Sequence, residues 1–266
     1  MTNRAKIMGI LNVTPDSFSD GGSYVEVNKA VNRAREMLDE GADIIDVGGE
    51  STRPGSDAVD LGEELKRVIP VIREISSFAV VSIDTKKREV AAAAIENGAK
   101  IINDISASLA EVAREAGAVW VAMHMQGDPK TMQQNPHYAD VVEEVREYLA
   151  EKLEWARSIG VKETWIDPGL GFGKTKEQNM ELLRATSRIV ELGVPVLIGA
   201  SRKGFLTEFM APEVRVSPPA ARDRVSESIQ AATLAVKGGA TIVRVHDVMA
   251  TKAALDSYSE EPDVQA

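Results

Sequence analysis

Thr164-Trp165-Ile166-Asp167-Pro168-Gly169-Leu170-Gly171-Phe172-Gly173-Lys174-Thr175 is a short apolar run that ends in an aspartate and passes into a glycine-rich loop. The closing Gly-Lys-Thr invites a phosphate-loop reading, in which backbone N–H groups cradle an anion and the lysine adds charge. That motif is G-x-x-x-x-G-K-[ST], and counting back from Gly173 puts Pro168 at its first position. Proline has no N–H and a fixed φ, which weakens the reading. The dinucleotide fingerprint G-x-G-x-x-G fails too, since Lys174 and Lys176 stand where its last glycine belongs. What remains is a strand that presents Asp167 at its C-terminal end, followed by a loop whose backbone can approach a ligand closely.

The rest of the chain repeats this arrangement. Lys6 to Asn12 reads as a buried strand, followed by the long polar loop Val13 to Gly22. Between Val25 and Glu40, apolar residues at helical spacing predict a helix that Gly41 closes. The run Asp43 to Val47 comes next and leads into Gly48 to Gly55. Further helical segments end at Gly98, Gly117, Gly160, Gly193 and Gly238-Gly239. The matching runs are Ala79 to Asp84, Lys100 to Asn103, Ala118 to His124, Thr164 to Asp167, Pro195 to Ser201 and Ala240 to His246. That makes about eight βα units, the count of a TIM-type (β/α)8 barrel. Near-continuous apolar strands alternating with amphipathic helices also require parallel pairing covered by helices. A doubly wound open sheet is the alternative. The expected organisation is a single domain over residues 1–266, with an acidic, apolar-poor tail at 259–266 that frays and a mobile stretch from Pro212 to Pro219.

Composition narrows the function. The formal charge is −10 at pH 7, which argues against nucleic acid or an anionic membrane as partner. An anionic small molecule stays open if Lys and Arg gather locally. With no cysteine, disulfides, thiolate nucleophiles and Cys-ligated metals are excluded, and a cytoplasmic setting is expected. The apolar run Ile7 to Val13 is too short for a signal peptide, and no run of about 18 apolar residues exists to span a membrane.

Polar residues crowd the strand ends: Asn12, Asp84, Asn103, His124, Asp167, Ser201-Arg202-Lys203 and Arg244-x-His246. In a barrel these positions converge on one face, where active sites are built. A lone Asn or Asp after a strand is often only a helix cap, but one shared pocket explains all of these loops together. Arg244 and His246 lie two apart on a strand and point to one face, with Val243 and Val245 on the other. A buried arginine needs an anion, either a carboxylate such as Asp46 or a substrate phosphate. Asp84, Asn103 and Asp167 offer two carboxylates and an amide, a set suited to a planar heterocycle rich in N–H donors. Asn12 with a substrate phosphate is the sparse kind of site that Mg²⁺ accepts, because the ion keeps several waters; by itself Asn12 also reads as a cap or turn amide. His137 reads as a loop histidine.

Assembled in order, these segments resemble the dihydropteroate synthase family from about Lys6 to Leu255. The motifs are Met8 to Gly22, Asp46 to Gly55, Ser82-Ile83-Asp84-Thr85, Ile102-Asn103-Asp104, Met123 to Gly127, Asp167 to Lys174, Ser201-Arg202-Lys203 and Arg244-Val245-His246-Asp247. The resemblance implies a TIM-type barrel, commonly homodimeric, that joins 6-hydroxymethyl-7,8-dihydropterin diphosphate to 4-aminobenzoate with help from Mg²⁺. It places Asp84, Asn103, Asp167 and Lys203 in the pterin pocket and Asn12 at the metal. Thr52, Arg244 and His246 would hold the diphosphate, and the loops of Phe18, Asp20 and Arg53 would close over the aminobenzoate. Asp84, Lys203, Asp20 and Arg53 are the implied catalytic set. The family is also the target of sulfonamides, and Gly204 leaves little side chain beside the aminobenzoate end. A pterin-binding methyltransferase module acting with a corrinoid partner would share the barrel and the Asp84, Asn103, Asp167 pocket. It would have no use for Asn12 or the Arg244/His246 pair. A non-catalytic pterin-binding protein is the third reading.

Overall fold

The predicted βα units form in sequence order. They are β1 (Lys6–Asn12), α1 (Tyr24–Asp39), β2 (Ile44–Gly48), α2 (Leu61–Ile75), β3 (Val81–Asp84), α3 (Arg88–Glu96), β4 (Ile101–Asp104), α4 (Ala110–Ala116), β5 (Val119–Met123), α5 (Val141–Ile159), β6 (Thr164–Asp167), α6 (Lys176–Arg184), α7 (Thr186–Val190), β7 (Leu197–Ile198), α8 (Val225–Lys237), β8 (Ile242–Val245) and α9 (Val248–Glu260). A 3₁₀ turn, Gly204–Phe209, follows β7. This is a computed structural model, and it describes residues 4–14, 24–51, 58–128, 130–210, 220 and 223–260. Phe18, Asp20, Thr52, Arg53, the loop from Pro15, the stretch Pro212 to Pro219 and the tail beyond Glu260 therefore lie outside the described residues.

All strands pair in parallel, in the order β6-β5-β4-β3-β2-β1-β8-β7. A single bridge between Ile166 and Val196 brings the two ends of that order together, so the sheet is a nearly closed barrel and not an open one. Parallel pairing with period-2 alternation then sorts the side chains. One set faces into the barrel: Met8, Ile44, Ile101, Val121, Trp165, Leu197 and Ile242 form a compact apolar plug at its base. The other set, among them Ile7, Ile45, Ile83, Ile102, Val243 and Val245, packs outward against the helices. With its base filled by the plug, the barrel leaves the strand ends to carry polar groups. Trp120, fully buried, meets Trp155 edge-on at 5.5 Å in the outer layer. Burying such a ring contributes roughly 2–3 kcal/mol.

Helix termination follows the glycine pattern. Gly160 closes α5 at φ 87°, a left-handed conformation that lets its N–H reach Ala156 O and Arg157 O. One expectation needs trimming. The run Pro195 to Ser201 forms a strand over Leu197–Ile198 only, preceded by the lone bridge at Val196. Pro195 has no N–H to give, and Val196 N donates to the Thr241 hydroxyl oxygen at 3.1 Å instead of to a strand carbonyl. Among the described residues no helix is long and apolar enough to cross a membrane.

Candidate active site

The C-terminal ends of the strands gather the charged residues around one guanidinium. Arg244, on β8, donates from Nε to Asp46 Oδ2 and from Nη2 to Asp84 Oδ2, each at 2.6 Å. Asn103 Nδ2 donates to the same Asp46 oxygen at 3.1 Å. Strand register dictates the meeting: Asp46 pairs with Ser82, and Asp84 with Asn103, across β2, β3 and β4. Asp46 is the carboxylate weighed above for Arg244; the structure adds Asp84 as a second. Asp46 is wholly buried. Burial works against the charge on Arg244, but Asp46 and then Asp84 outweigh it and hold its pKa above the ordinary value. The Asp84 carboxyl is pushed up to about 7, mainly by burial; Arg244 opposes the rise, and Asp46 and Glu64 add to it. One cation shared by two buried carboxylates explains the direction.

The second half of the site lies across the mouth. A methyl placed on Gly199 would sit 3.8 Å from Arg244 Cβ and 3.9 Å from Asp167 Oδ2, so both residues flank that glycine. Asp167, at the end of β6, accepts from Gly169 N at 2.7 Å. Burial raises its pKa, against the pull of Lys203. Lys203 comes from the other side, with its ammonium on Leu170 O and 4.4 Å from the Phe172 ring centroid. Burial lowers it to about 8, with Asp167 pulling upward. Asn12, at the end of β1, points toward Gly48, where a methyl would lie 3.7 Å from both its Oδ1 and Asp84 Cβ. His246 Nδ1 lies 3.0 Å from Ser201 Oγ, which ties β8 to the loop after β7. Arg202 reinforces that tie with a two-pronged ion pair to Asp247, at 3.0 and 2.5 Å.

Several partners were not legible in the sequence. Glu64 on α2 is buried, accepts from Thr85 Oγ1 at 2.8 Å and meets Lys87, which also holds Glu50. Asp104 is buried and takes five donors, including the Trp120 indole at 3.0 Å and the Leu109 N–H at 2.7 Å, which shapes the turn after β4. The Gly-Lys-Thr motif resolves differently from a phosphate loop. Thr175 is the N-cap of α6, in a capping box with Gln178. Lys174 turns inward, 2% exposed, with Nζ 3.0 Å from Gly169 O, Phe172 O and His124 Nδ1. His137 is exposed in its loop, as read from sequence.

The structure thus brings Asp84, Asn103, Asp167, Lys203, Arg244 and Asn12 to one mouth, with His246 at its edge. Comparison with known proteins shows the family. A sequence profile described as "Pterin binding enzyme" matches residues 8–246. The dihydropteroate synthase of Synechocystis sp. is 43% identical over 256 residues, spanning 93% of this chain and 86% of that one. A solved Xanthomonas albilineans dihydropteroate synthase with 4-aminobenzoic acid superposes with TM-score 0.89 and 42% identity, covering 99% of this chain and 95% of the other. The same organism's enzyme in complex with 7,8-dihydropteroate gives 0.85 and 39%, over 100% and 96% of the two chains. The chain belongs to the pterin-binding enzymes, and among them to the dihydropteroate synthase family.

Proposed function

We infer that the chain joins 6-hydroxymethyl-7,8-dihydropterin diphosphate to 4-aminobenzoate, releasing pyrophosphate and 7,8-dihydropteroate, as a transferase of folate biosynthesis. One observation carries the assignment of residues to that reaction. Asp84 Oδ2 is held by Arg244, yet Oδ1 is buried without a hydrogen-bond partner among the described residues. A buried carboxylate oxygen in that state suits a ring N–H or amino group of a bound heterocycle. Asp167 has Oδ1 taken by Gly169 and offers Oδ2 to the same kind of edge. Asn103 is oriented by Asp46, and Lys203 supplies a donor for the ring's acceptor atoms.

The reaction breaks the C–O bond between the pterin methylene and the diphosphate, and the electron pair leaves with pyrophosphate. The aminobenzoate nitrogen forms the new C–N bond and loses a proton. No covalent bond to the enzyme is required. Negative charge grows on the leaving group, so cationic groups preorganised beside it lower the barrier. Two nitrogens of Arg244 serve Asp46 and Asp84, which leaves Nη1 for a phosphate oxygen. His246, with Nδ1 fixed by Ser201, and Thr52 complete that set. Asp84 and Asp20 stabilise the positive charge that develops on the methylene. Phe18, Asp20 and Arg53 cover the aminobenzoate and keep water from intercepting it. Among the described residues no cluster of three or more His, Asp or Glu could hold a metal by itself. Asn12, whose side-chain oxygen sits at the end of β1 beside Asp84, would hold a Mg²⁺ that arrives with the diphosphate, an ion that keeps several waters and needs few protein ligands. When bound there, the ion would neutralise charge on the departing pyrophosphate.

The direct test is pyrophosphate release from the pterin diphosphate, with and without 4-aminobenzoate and Mg²⁺. Release that needs both, with dihydropteroate as product, is expected; release with neither contradicts the reading. Methyl transfer to a corrinoid has no use for the Arg244/His246 pair, which favours the diphosphate reaction. Sulfamethoxazole is expected to compete with aminobenzoate, and activity undiminished at millimolar drug contradicts that. On the family resemblance the working unit is a cytoplasmic homodimer, which sedimentation at micromolar concentration tests: a single-chain mass counts against it.

A further inference from the structure

The motif Gly173-Lys174-Thr175 has no part in the reaction, yet its lysine is one of the largest fully buried side chains among the described residues. Its surroundings are built, not incidental. Each of five successive loop carbonyls accepts from a side chain: Gly169 O and Phe172 O from Lys174, Leu170 O from Lys203, Gly171 O from Gln133 and Gly173 O from Tyr138. The loop has one backbone turn of its own, Phe172 N–H to Gly169 O at 3.1 Å, and side chains take up the rest of its carbonyl capacity. Among the described residues Lys174 is the one donor that bonds two of the five, and it also reaches His124 Nδ1 on the neighbouring strand end. Burial lowers His124 to about 3, with the charge on Lys174 acting in the same direction, and lowers Lys174 itself to about 7, with Asp167 pulling upward. While Lys174 carries its proton it can only donate, so Nδ1 accepts.

We propose that Lys174 is a positioning residue for pterin recognition. Its ammonium draws Gly169 O and Phe172 O together from behind the loop and thereby sets Asp167 and Lys203, the two groups that the same loop holds from the front. The coupling is short. Gly169 links the two sides directly, since its N–H bonds Asp167 Oδ1 and its carbonyl bonds Lys174. Phe172 does the same, with its carbonyl on Lys174 and its ring against the Lys203 ammonium. The lysine of a phosphate-loop-like sequence here takes backbone carbonyls in place of a phosphate.

This inference rests on the pterin reading above, and the experiment separates the two. Lys174→Met keeps the length of the side chain and removes the donors. Binding of 6-hydroxymethylpterin is measured by calorimetry, and KM for each substrate at saturation of the other. The expected result is a pterin affinity weakened about tenfold or more, with KM for aminobenzoate and kcat within about threefold of the parent. The chain has no cysteine, so Lys174→Cys offers a single thiol. Alkylating it in the unfolded state with 2-bromoethylamine, bromide leaving as the C–S bond forms, and refolding supplies an ammonium at lysine length. That protein is expected to recover pterin affinity to within about threefold of the parent. If Lys174→Met does not fold, Lys174→Gln takes its place, judged by the same criteria. Parent-like pterin affinity in the folded variant overturns the proposal. So do equal losses toward both substrates without rescue by the aminoethyl group, which mark a lysine that merely stabilises the fold. A parent protein that binds no pterin at all would instead sink the functional reading.

Discussion

Arg244, Asp46 and Asp84 set one cation against two carboxylates in a largely buried site. Such an arrangement is costly in the free enzyme, because desolvation penalises each charge and one guanidinium bonds both carboxylates, with Lys203 helping only at a distance. The cost shows in Asp84, whose folded pKa stands near 7 against 3.8 for the free side chain. Between those values the native state binds more protons than the unfolded chain, so this contribution to stability is fully present below 3.8 and lost as pH rises through 7. Asp84→Asn keeps the shape, removes the surplus charge and leaves Arg244 paired with Asp46. It is expected to raise stability at pH 8 by roughly 1–3 kcal/mol, and to flatten the change between pH 4 and 8, while cutting turnover by about 100-fold or more. Urea titrations at several pH values, beside the pyrophosphate assay, check both halves. A variant less stable than the parent at pH 8 contradicts this account of the charge balance.

The glycine-rich loop after β6 shows how an element can be held without a ladder of backbone bonds. Gly169, Gly171 and Gly173 take φ of 66°, 83° and 60°, and a side chain on Gly169 would stand 1.8 Å from the His124 carbonyl oxygen. Two demands coincide there, a left-handed backbone and close contact with the neighbouring strand end. Gly160 meets only the first, with φ 87° and nothing within 4 Å of the added methyl. Gly160→Ala is expected to cost about 1 kcal/mol and Gly169→Ala about 3 kcal/mol or more, with loss of pterin binding only in the second. Denaturant midpoints for the pair test this; equal costs would mean that the loop yields freely. The sequence marks this loop by its glycines and by Asp167 at the strand end. It does not mark the destination of Lys174, because two of that residue's three partners are backbone carbonyls and the third, His124, lies fifty positions away. Local sequence is silent on such contacts.

Across the whole barrel, what was legible was whatever depends on periodicity. The alternation that sends Arg244 inward and Val243 and Val245 outward is a property of strands, and it pairs Arg244 with Asp46 as weighed from sequence. The polar strand ends converge because parallel strands in a barrel must end on one side. What escaped sequence reasoning came from single tertiary contacts. The Thr241 hydroxyl shortens β7, and Glu64 is drawn under the site by Lys87 and Thr85. Neither leaves a trace in spacing or composition. The central claim is that Asp84, Asn103, Asp167 and Lys203 form one pocket that grips the pterin edge. A crystal structure of the enzyme with pteroate bound tests it most directly. The account predicts the ring's nitrogens within hydrogen-bond distance of Asp84 Oδ1 and Asp167 Oδ2, with Lys203 on the same ring. A ring seated elsewhere on the barrel, or with Asp84 Oδ1 still unpartnered, would contradict it.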